Sequence, residues 1–124
     1  MRALIGALAL LAATSAAAEP KRSFAGLYRI NQMEMAGGLE LRPDGRFRYA
    51  FDYGAVSEES EGQWVVGTSG PMLTTDPMPP PAECNRGFAS ACFDKTLLTI
   101  DGENLILWRW DARIVLKPVQ PRPR

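Results

Sequence analysis

The sequence predicts an all-β fold, a single small antiparallel up-and-down β-barrel or flattened sandwich of about eight strands. From residue 24 onward, apolar and polar side chains alternate with a period of two, and turn-forming residues separate the alternating segments. In this part of the chain, apolar residues do not recur at the i, i+3, i+4, i+7 spacing for long enough to form a helix. A chain of 124 residues is the size of one small domain.

The predicted strands follow this alternation and are joined mostly by short connections. They cover residues 24–30, 38–42, 46–53, 61–66, 72–75, 96–100, 105–110 and 113–118. The strand 46–53 has the clearest pattern, because its four aromatic residues fall on one face and its charged residues on the other. Pro43, Asp44 and Gly45 predict a tight hairpin turn before it, and residues 101–104 predict a second one.

Residues 1–18 have the features of a secretory signal peptide. Arg2 precedes an apolar run over residues 3–13, and Ala16 and Ala18 place small side chains at the −3 and −1 positions of a cleavage site. The run is too short for an uncleaved membrane anchor, which is the alternative interpretation. We therefore expect cleavage after Ala18 and a periplasmic or secreted product without a membrane span.

The composition excludes several classes of function. Histidine is absent, which removes Ser-His-Asp and Cys-His catalysis and most zinc sites. The 14 basic residues balance the 14 acidic ones, so the chain lacks the positive charge that nucleic acid binding requires. We expect no catalytic residues, no bound metal and no cofactor.

A long irregular segment over residues 76–94 interrupts the barrel domain, which we expect to span residues 19–118. Four prolines lie between residues 77 and 81 and favour an extended polyproline conformation. Cys84 and Cys92 are the two cysteines of the chain, and in an exported protein they predict a disulfide. A redox-active pair or half of a metal site is the alternative, but the C-x-x-C spacing is absent.

The chain ends in a proline-rich and basic segment, residues 119–124. We expect this segment to be a disordered tail. A proline-rich peptide ligand is the alternative interpretation.

The aromatic residues supply the candidate ligand-binding side chains. Tyr49 and Tyr53 belong to the aromatic face of strand 46–53, and Trp64 lies on the next strand. They could line a ligand pocket, but core packing is favoured because side chains just fill the interior of a small barrel. A ligand pocket remains the alternative interpretation, because a buried tyrosine hydroxyl needs a hydrogen-bond partner.

Trp110 is the fourth candidate and is expected on the same face as Trp108. If these indoles are exposed, they would form a partner or glycan surface, because tryptophan beside arginine is typical of interface hot spots. The strand pattern favours the other interpretation, in which both are core residues.

The acidic segment 56–61, Val-Ser-Glu-Glu-Ser-Glu, is expected to be a solvated turn between two strands. Catalytic carboxylates and a calcium loop are the alternatives. A calcium loop requires ordered alternate oxygen ligands and a glycine at its sharp turn, which this segment does not supply.

Part of the chain resembles a recurring unit of small exported bacterial β-proteins, which runs G-x-L-x-L-x-x-D-G-x-F, then a second aromatic strand, then G-x-W. Residues 38–51 carry the first part, and Gly-Gln-Trp at 62–64 carries the last. The unit is similar to the half-barrel of lipocalin-like families, and residues 24–28 resemble their opening G-x-W strand with Tyr28 in place of tryptophan. The resemblance covers about residues 24–75 and implies a β-barrel.

Together these features predict a non-enzymatic, monomeric, exported binding or protein-interaction module of the bacterial envelope. Its partner would contact the barrel mouth or the disulfide loop. The resemblance implies the alternative, a lipocalin-like carrier of a small hydrophobic ligand.

Overall fold

The chain is described by a computed structural model over residues 23–86 and 90–120. These residues form nine antiparallel strands in one nearly closed, barrel-shaped sheet, which confirms the predicted all-β class. The strands are β1 Gly26–Gln32, β2 Met35–Leu41, β3 Arg46–Tyr53, β4 Val56–Val66, β5 Pro71–Thr75, β6 Thr96–Leu97, β7 Thr99–Asp101, β8 Asn104–Arg109 and β9 Ala112–Pro118. The predicted signal peptide and residues 121–124 of the predicted tail lie outside the described residues.

The sheet curls round so that its two edge strands, β6 and β7, meet where they are consecutive in the sequence. The strands lie in the order β6-β5-β4-β3-β2-β1-β9-β8-β7. β6 and β7 occupy opposite ends of this order but are separated in sequence by Leu98 alone. The Leu98 side chain is buried, and its backbone N–H donates to the carbonyl of Pro71 at 2.8 Å. The sheet therefore leaves only two very short edges, a known protection against edge-to-edge aggregation.

All eight predicted strands are present, with shifts of up to three residues at several of their ends and two larger changes. The predicted strand 96–100 is divided into β6 and β7 because Leu98 turns its side chain into the core. The predicted strand 61–66 begins earlier, at Val56.

The prediction of a solvated turn over residues 56–61 is wrong, because these residues form the first half of β4 and pair with β3. Gly54 has a φ of 58°, which lets the chain reverse within two residues. The inward positions of this half-strand include Glu58 and Ser60. Because these side chains are polar, the hydrophobic alternation that reveals the other strands is hidden here.

Inward-facing side chains fill the barrel. The largest fully buried ones are Ile30, Leu39, Leu41, Phe47, Phe51, Leu73, Phe93, Leu98, Leu105, Leu107, Ile114 and Leu116. Phe93 comes from the segment before β6, and its ring packs edge-on against Tyr49 with the centroids 5.1 Å apart. The aromatic face of β3 is thus mostly core, as the packing interpretation predicts.

The Asp-Gly turn and the Gly-x-Trp segment of the sequence pack against each other. The Trp64 indole Nε1 donates to the carbonyl of Arg42 at 2.8 Å, and its backbone N–H donates to Gly45 at 2.9 Å. Position 62 of the Gly-x-Trp segment requires a glycine, because a Cβ there would collide with the Thr74 carbonyl and lie 2.8 Å from the Phe47 ring. Trp64 therefore holds the β2–β3 turn.

Candidate functional site

One end of the barrel carries a cluster of aromatic side chains and an arginine. β3 ends there at Tyr53, β8 ends at Arg109, and Trp110 follows in the β8–β9 turn. We call the surface formed by Phe51, Tyr53, Arg109 and Trp110 the aromatic end. Its central ring, Phe51, is buried, whereas Tyr53 is 38% and Trp110 47% exposed.

The rings of the aromatic end are held in a fixed arrangement. Tyr53 packs edge-on against Phe51 with a centroid separation of 6.4 Å, and Trp110 lies 6.0 Å from Phe51 on a tilted plane. The Arg109 guanidinium carbon lies 4.6 Å from the centre of the Trp110 ring, within cation–π distance. The exposed rings therefore rest on a buried ring and a cation that restrict their movement.

Trp110 is placed at this end by an unusual backbone turn. Trp110 and Asp111 connect β8 to β9 with φ values of 48° and 63°. Two successive positive φ angles make tight hairpins, but Asn and Gly usually occupy these positions. A bulky aromatic residue is rare in this region, and such backbone outliers concentrate at functional sites.

The expectation that Trp108 and Trp110 are core residues is wrong. Trp108 is 58% exposed and Trp110 is 47% exposed. The inward positions of β8 are Leu105, Leu107 and Arg109, so Trp108 points outward, and Trp110 lies beyond the end of the strand. Both faces of the predicted strand are apolar, and the pattern alone therefore does not identify the outward face.

Below the aromatic end, Arg109 forms a buried ion pair with Glu58 of β4. The Arg109 Nη2 and Nε atoms donate to the two carboxylate oxygens at 2.6 and 3.1 Å. The Tyr49 hydroxyl donates to the same carboxylate at 2.9 Å. Glu58 is 2% exposed, and no buried side-chain polar atom among the described residues lacks a hydrogen-bond partner. A bidentate, fully bonded carboxylate of this kind holds its neighbours in place.

Tyr49 is fixed in its protonated form by this environment. Burial of the hydroxyl, followed by the negative charge of Glu58, raises the pKa of Tyr49 well above its ordinary value of 10.0. The hydroxyl therefore remains a hydrogen-bond donor. Tyr49, a predicted candidate for ligand binding, lies in the core of the barrel.

The predicted disulfide between Cys84 and Cys92 is present and closes a loop beside the aromatic end. Asn85, with a left-handed φ of 57°, accepts a hydrogen bond from Arg109 at 3.0 Å and one from the Cys92 backbone N–H at 3.0 Å. The Asn85 N–H donates to the carbonyl of Ser90 at 2.8 Å. The disulfide loop is thus connected through Asn85 to the arginine that underlies Trp110.

Thr75, at the end of β5, anchors the chain that leaves this loop. Its hydroxyl accepts the Phe93 N–H at 2.8 Å, and its own N–H donates to the Phe93 carbonyl at 2.9 Å. Phe93 is consequently held with its ring 5.4 Å below the Arg109 guanidinium. The chain that leaves the loop therefore contributes a core residue, Phe93.

The structure brings together two of the four predicted binding residues. Tyr53 and Trp110 share the aromatic end, whereas Tyr49 lies beneath it and Trp64 supports a turn at the opposite end of the barrel. Sequence reasoning missed Arg109 and Asn85 because neither belongs to a recognisable motif. The one signal for Arg109 in the sequence was its position between Trp108 and Trp110.

Two kinds of feature are absent from the described residues. None of their helices is long and apolar enough to cross a membrane. Their acidic and cysteine side chains form no group of three that could hold a metal ion.

No protein-family model, curated protein or solved structure matches this chain. The geometry of the aromatic end is therefore the basis on which a function is assigned.

Proposed function

We propose that this chain is an exported, non-enzymatic binding module that holds a protein partner at its aromatic end. The proposal depends chiefly on Trp110. Its half-exposed indole is presented by a strained turn and packed against Phe51 and Arg109. The surrounding barrel supplies a rigid support.

The residue types at this end favour protein recognition. Tryptophan, tyrosine and arginine are enriched in interface hot spots, and the two aromatic residues bury a large area at a small cost in side-chain entropy. Because Trp110 and Arg109 are already ordered, a partner does not have to immobilise them. The adjacent disulfide loop would contribute to the rim of such an interface.

The packing of the interior supports a binding module over a carrier. Phe47, Phe51 and Phe93 are fully buried and fill the space that a carrier would reserve for a hydrophobic ligand. The Glu58 carboxylate, a candidate acid or base, is engaged by the side chains of Tyr49 and Arg109. Both observations favour a function at the surface of the barrel.

Export is supported by the predicted signal peptide and by the disulfide, since disulfides persist mainly in oxidising compartments. Placement in the periplasm or the medium is part of the proposal.

Native mass spectrometry of the protein taken from its own compartment after mild crosslinking tests the function. We expect a complex with a second protein, and we expect the crosslinks on this chain to cluster at the aromatic end and the disulfide loop. A co-purifying small apolar molecule without a protein partner would support the carrier and contradict the proposal. Crosslinks confined to other faces of the barrel would also contradict it.

A further inference from the structure

A groove of about 770 Å³ lies on the outer face of the sheet. Its floor is the cross-strand pair Gly38 and Ala50, on β2 and β3. Its far wall is the proline-rich segment after β5, through Pro77 and Pro79. Because the floor residues have minimal side chains, the groove reaches the backbone of the sheet.

The segment after β5, which includes the proline wall, is fixed to β4 at two points. At its start, the Asp76 N–H donates to the Glu61 carbonyl at 3.0 Å, and the Asp76 carboxylate accepts from Gln63 at 3.0 Å. Within the disulfide loop, the Ala91 N–H donates to the Glu59 carbonyl at 2.9 Å. The groove is therefore a built feature of the barrel.

The groove carries an excess of negative charge. Three carboxylates line it, Glu40, Glu59 and Glu61, against one guanidinium, that of Arg48. Arg48 lies in register between Glu40 and Glu61 and faces both. Glu59 instead has Ala50 and Ser90 as its cross-strand neighbours. A cation bound in the groove would therefore meet the Glu59 carboxylate.

We propose that this groove binds an extended, basic peptide segment of a protein partner. Basic side chains of the segment contact Glu59 and Glu61, and its apolar side chains lie against Pro77 and Pro79. An extended chain fits because the groove crosses β1 to β4 and its floor of Gly38 and Ala50 leaves room for a backbone. This site is separate from the aromatic end and does not depend on the function proposed for that end.

The test uses the ¹⁵N-labelled protein and a five-residue peptide that alternates arginine and valine, with both ends blocked. In an NMR titration to about 1 mM peptide, we expect shifts of the Gly38, Ala50, Ser60 and Ser90 amides. A matched peptide with glutamate in place of arginine should leave these amides unmoved. Added salt should weaken binding of the arginine peptide, because the contacts are solvent-exposed charges.

Variants connect the binding to the groove. We expect Glu59→Gln and Glu61→Gln each to weaken binding about two- to fivefold, the range for exposed ion pairs. Ala50→Leu should reduce it at least about tenfold by filling the floor, and it should fold because position 50 is exposed. Glu34→Gln, the same charge change in the β1–β2 turn, is the control and should bind like the wild type.

Three results would overturn the proposal. The first is the absence of groove shifts at the highest peptide concentration. The second is equal binding of the arginine and glutamate peptides. The third is equal binding of arginine amide alone, which would make the groove a site for an isolated cation.

Discussion

At the scale of single residues, Arg109 connects three parts of the molecule. Its guanidinium donates hydrogen bonds to the buried Glu58 carboxylate and to Asn85 of the disulfide loop. It also stacks over the Trp110 ring. Arg109 thereby couples the barrel interior to the aromatic end. A lysine would not reproduce this arrangement, because only a planar guanidinium bonds bidentately and stacks at the same time.

Removing one partner of the buried ion pair should destabilise the protein strongly. We expect Glu58→Leu to lower the free energy of unfolding by about 3 kcal/mol, because Arg109 is left as an uncompensated, largely buried charge. The double variant Glu58→Leu with Arg109→Met should regain most of this loss. Urea unfolding of the double variant and of the two single variants, Glu58→Leu and Arg109→Met, measures the losses. If the double variant loses as much free energy of unfolding as the two single variants together, uncompensated charge is not the cause of the loss.

Tyr49 should make the stability of the protein sensitive to alkaline pH. Its raised pKa means that the folded protein keeps this proton above pH 10, where the unfolded chain loses it. The folded state then binds more protons, so the free energy of unfolding falls with rising pH, by up to about 1.4 kcal/mol per pH unit. Below pH 10 the contribution of Tyr49 is constant.

The comparison of wild type with Tyr49→Phe isolates this effect. Urea unfolding between pH 8 and pH 11.5 should show the advantage of the wild type shrinking above pH 10. A difference between the two proteins that stays constant across this range would contradict the assignment.

At the scale of elements, local sequence patterns predicted most strands. The strand bounds that were not predicted depend on contacts between residues far apart in the sequence. β3 was predictable because its aromatic and charged residues alternate without interruption. The first half of β4 was not, because its inward Glu58 is neutralised by Arg109, a residue 51 positions away. Contacts at this separation leave no local trace in the sequence.

The aromatic end was only partly predictable for a similar reason. The sequence marked Trp110 as a candidate, but its exposure depends on where β8 ends. Positive φ angles at Trp110 and Asp111 have no clear sequence signal, since neither residue is a usual turn former there. The disulfide, by contrast, followed from the cysteine count and the predicted export.

The disulfide loop should contribute to stability as a cross-linked element. In the chain-entropy relation, a ring that links residues eight apart contributes about 2.5–3 kcal/mol. We expect the double variant Cys84→Ala with Cys92→Ala to unfold at correspondingly lower urea concentration. Reductant should lower the stability of the wild type to the same level and leave the variant unchanged. A wild type that is unaffected by reductant while its disulfide is reduced would contradict this expectation.

At the scale of the whole molecule, a packed barrel supports two separate surfaces. The aromatic end lies at one end of the barrel, where Trp110 packs against Arg109 and Phe51. The groove lies on the outer side, between β1–β4 and the proline wall. Because the same segment after β5 forms the proline wall and the disulfide loop, it borders both surfaces. This arrangement is suited to a protein that contacts partners without carrying cargo inside.

The most direct test of the aromatic end compares Trp110→Ala with Trp108→Ala in binding to the captured partner. Both residues are exposed tryptophans on or next to β8, so the two variants lose the same side chain. We expect Trp110→Ala to weaken binding at least about tenfold, the size of a hot-spot effect, while Trp108→Ala binds like the wild type. Thermal unfolding of both variants establishes that each is folded. Binding by Trp110→Ala as tight as that of Trp108→Ala would contradict the assignment of the aromatic end as the binding surface.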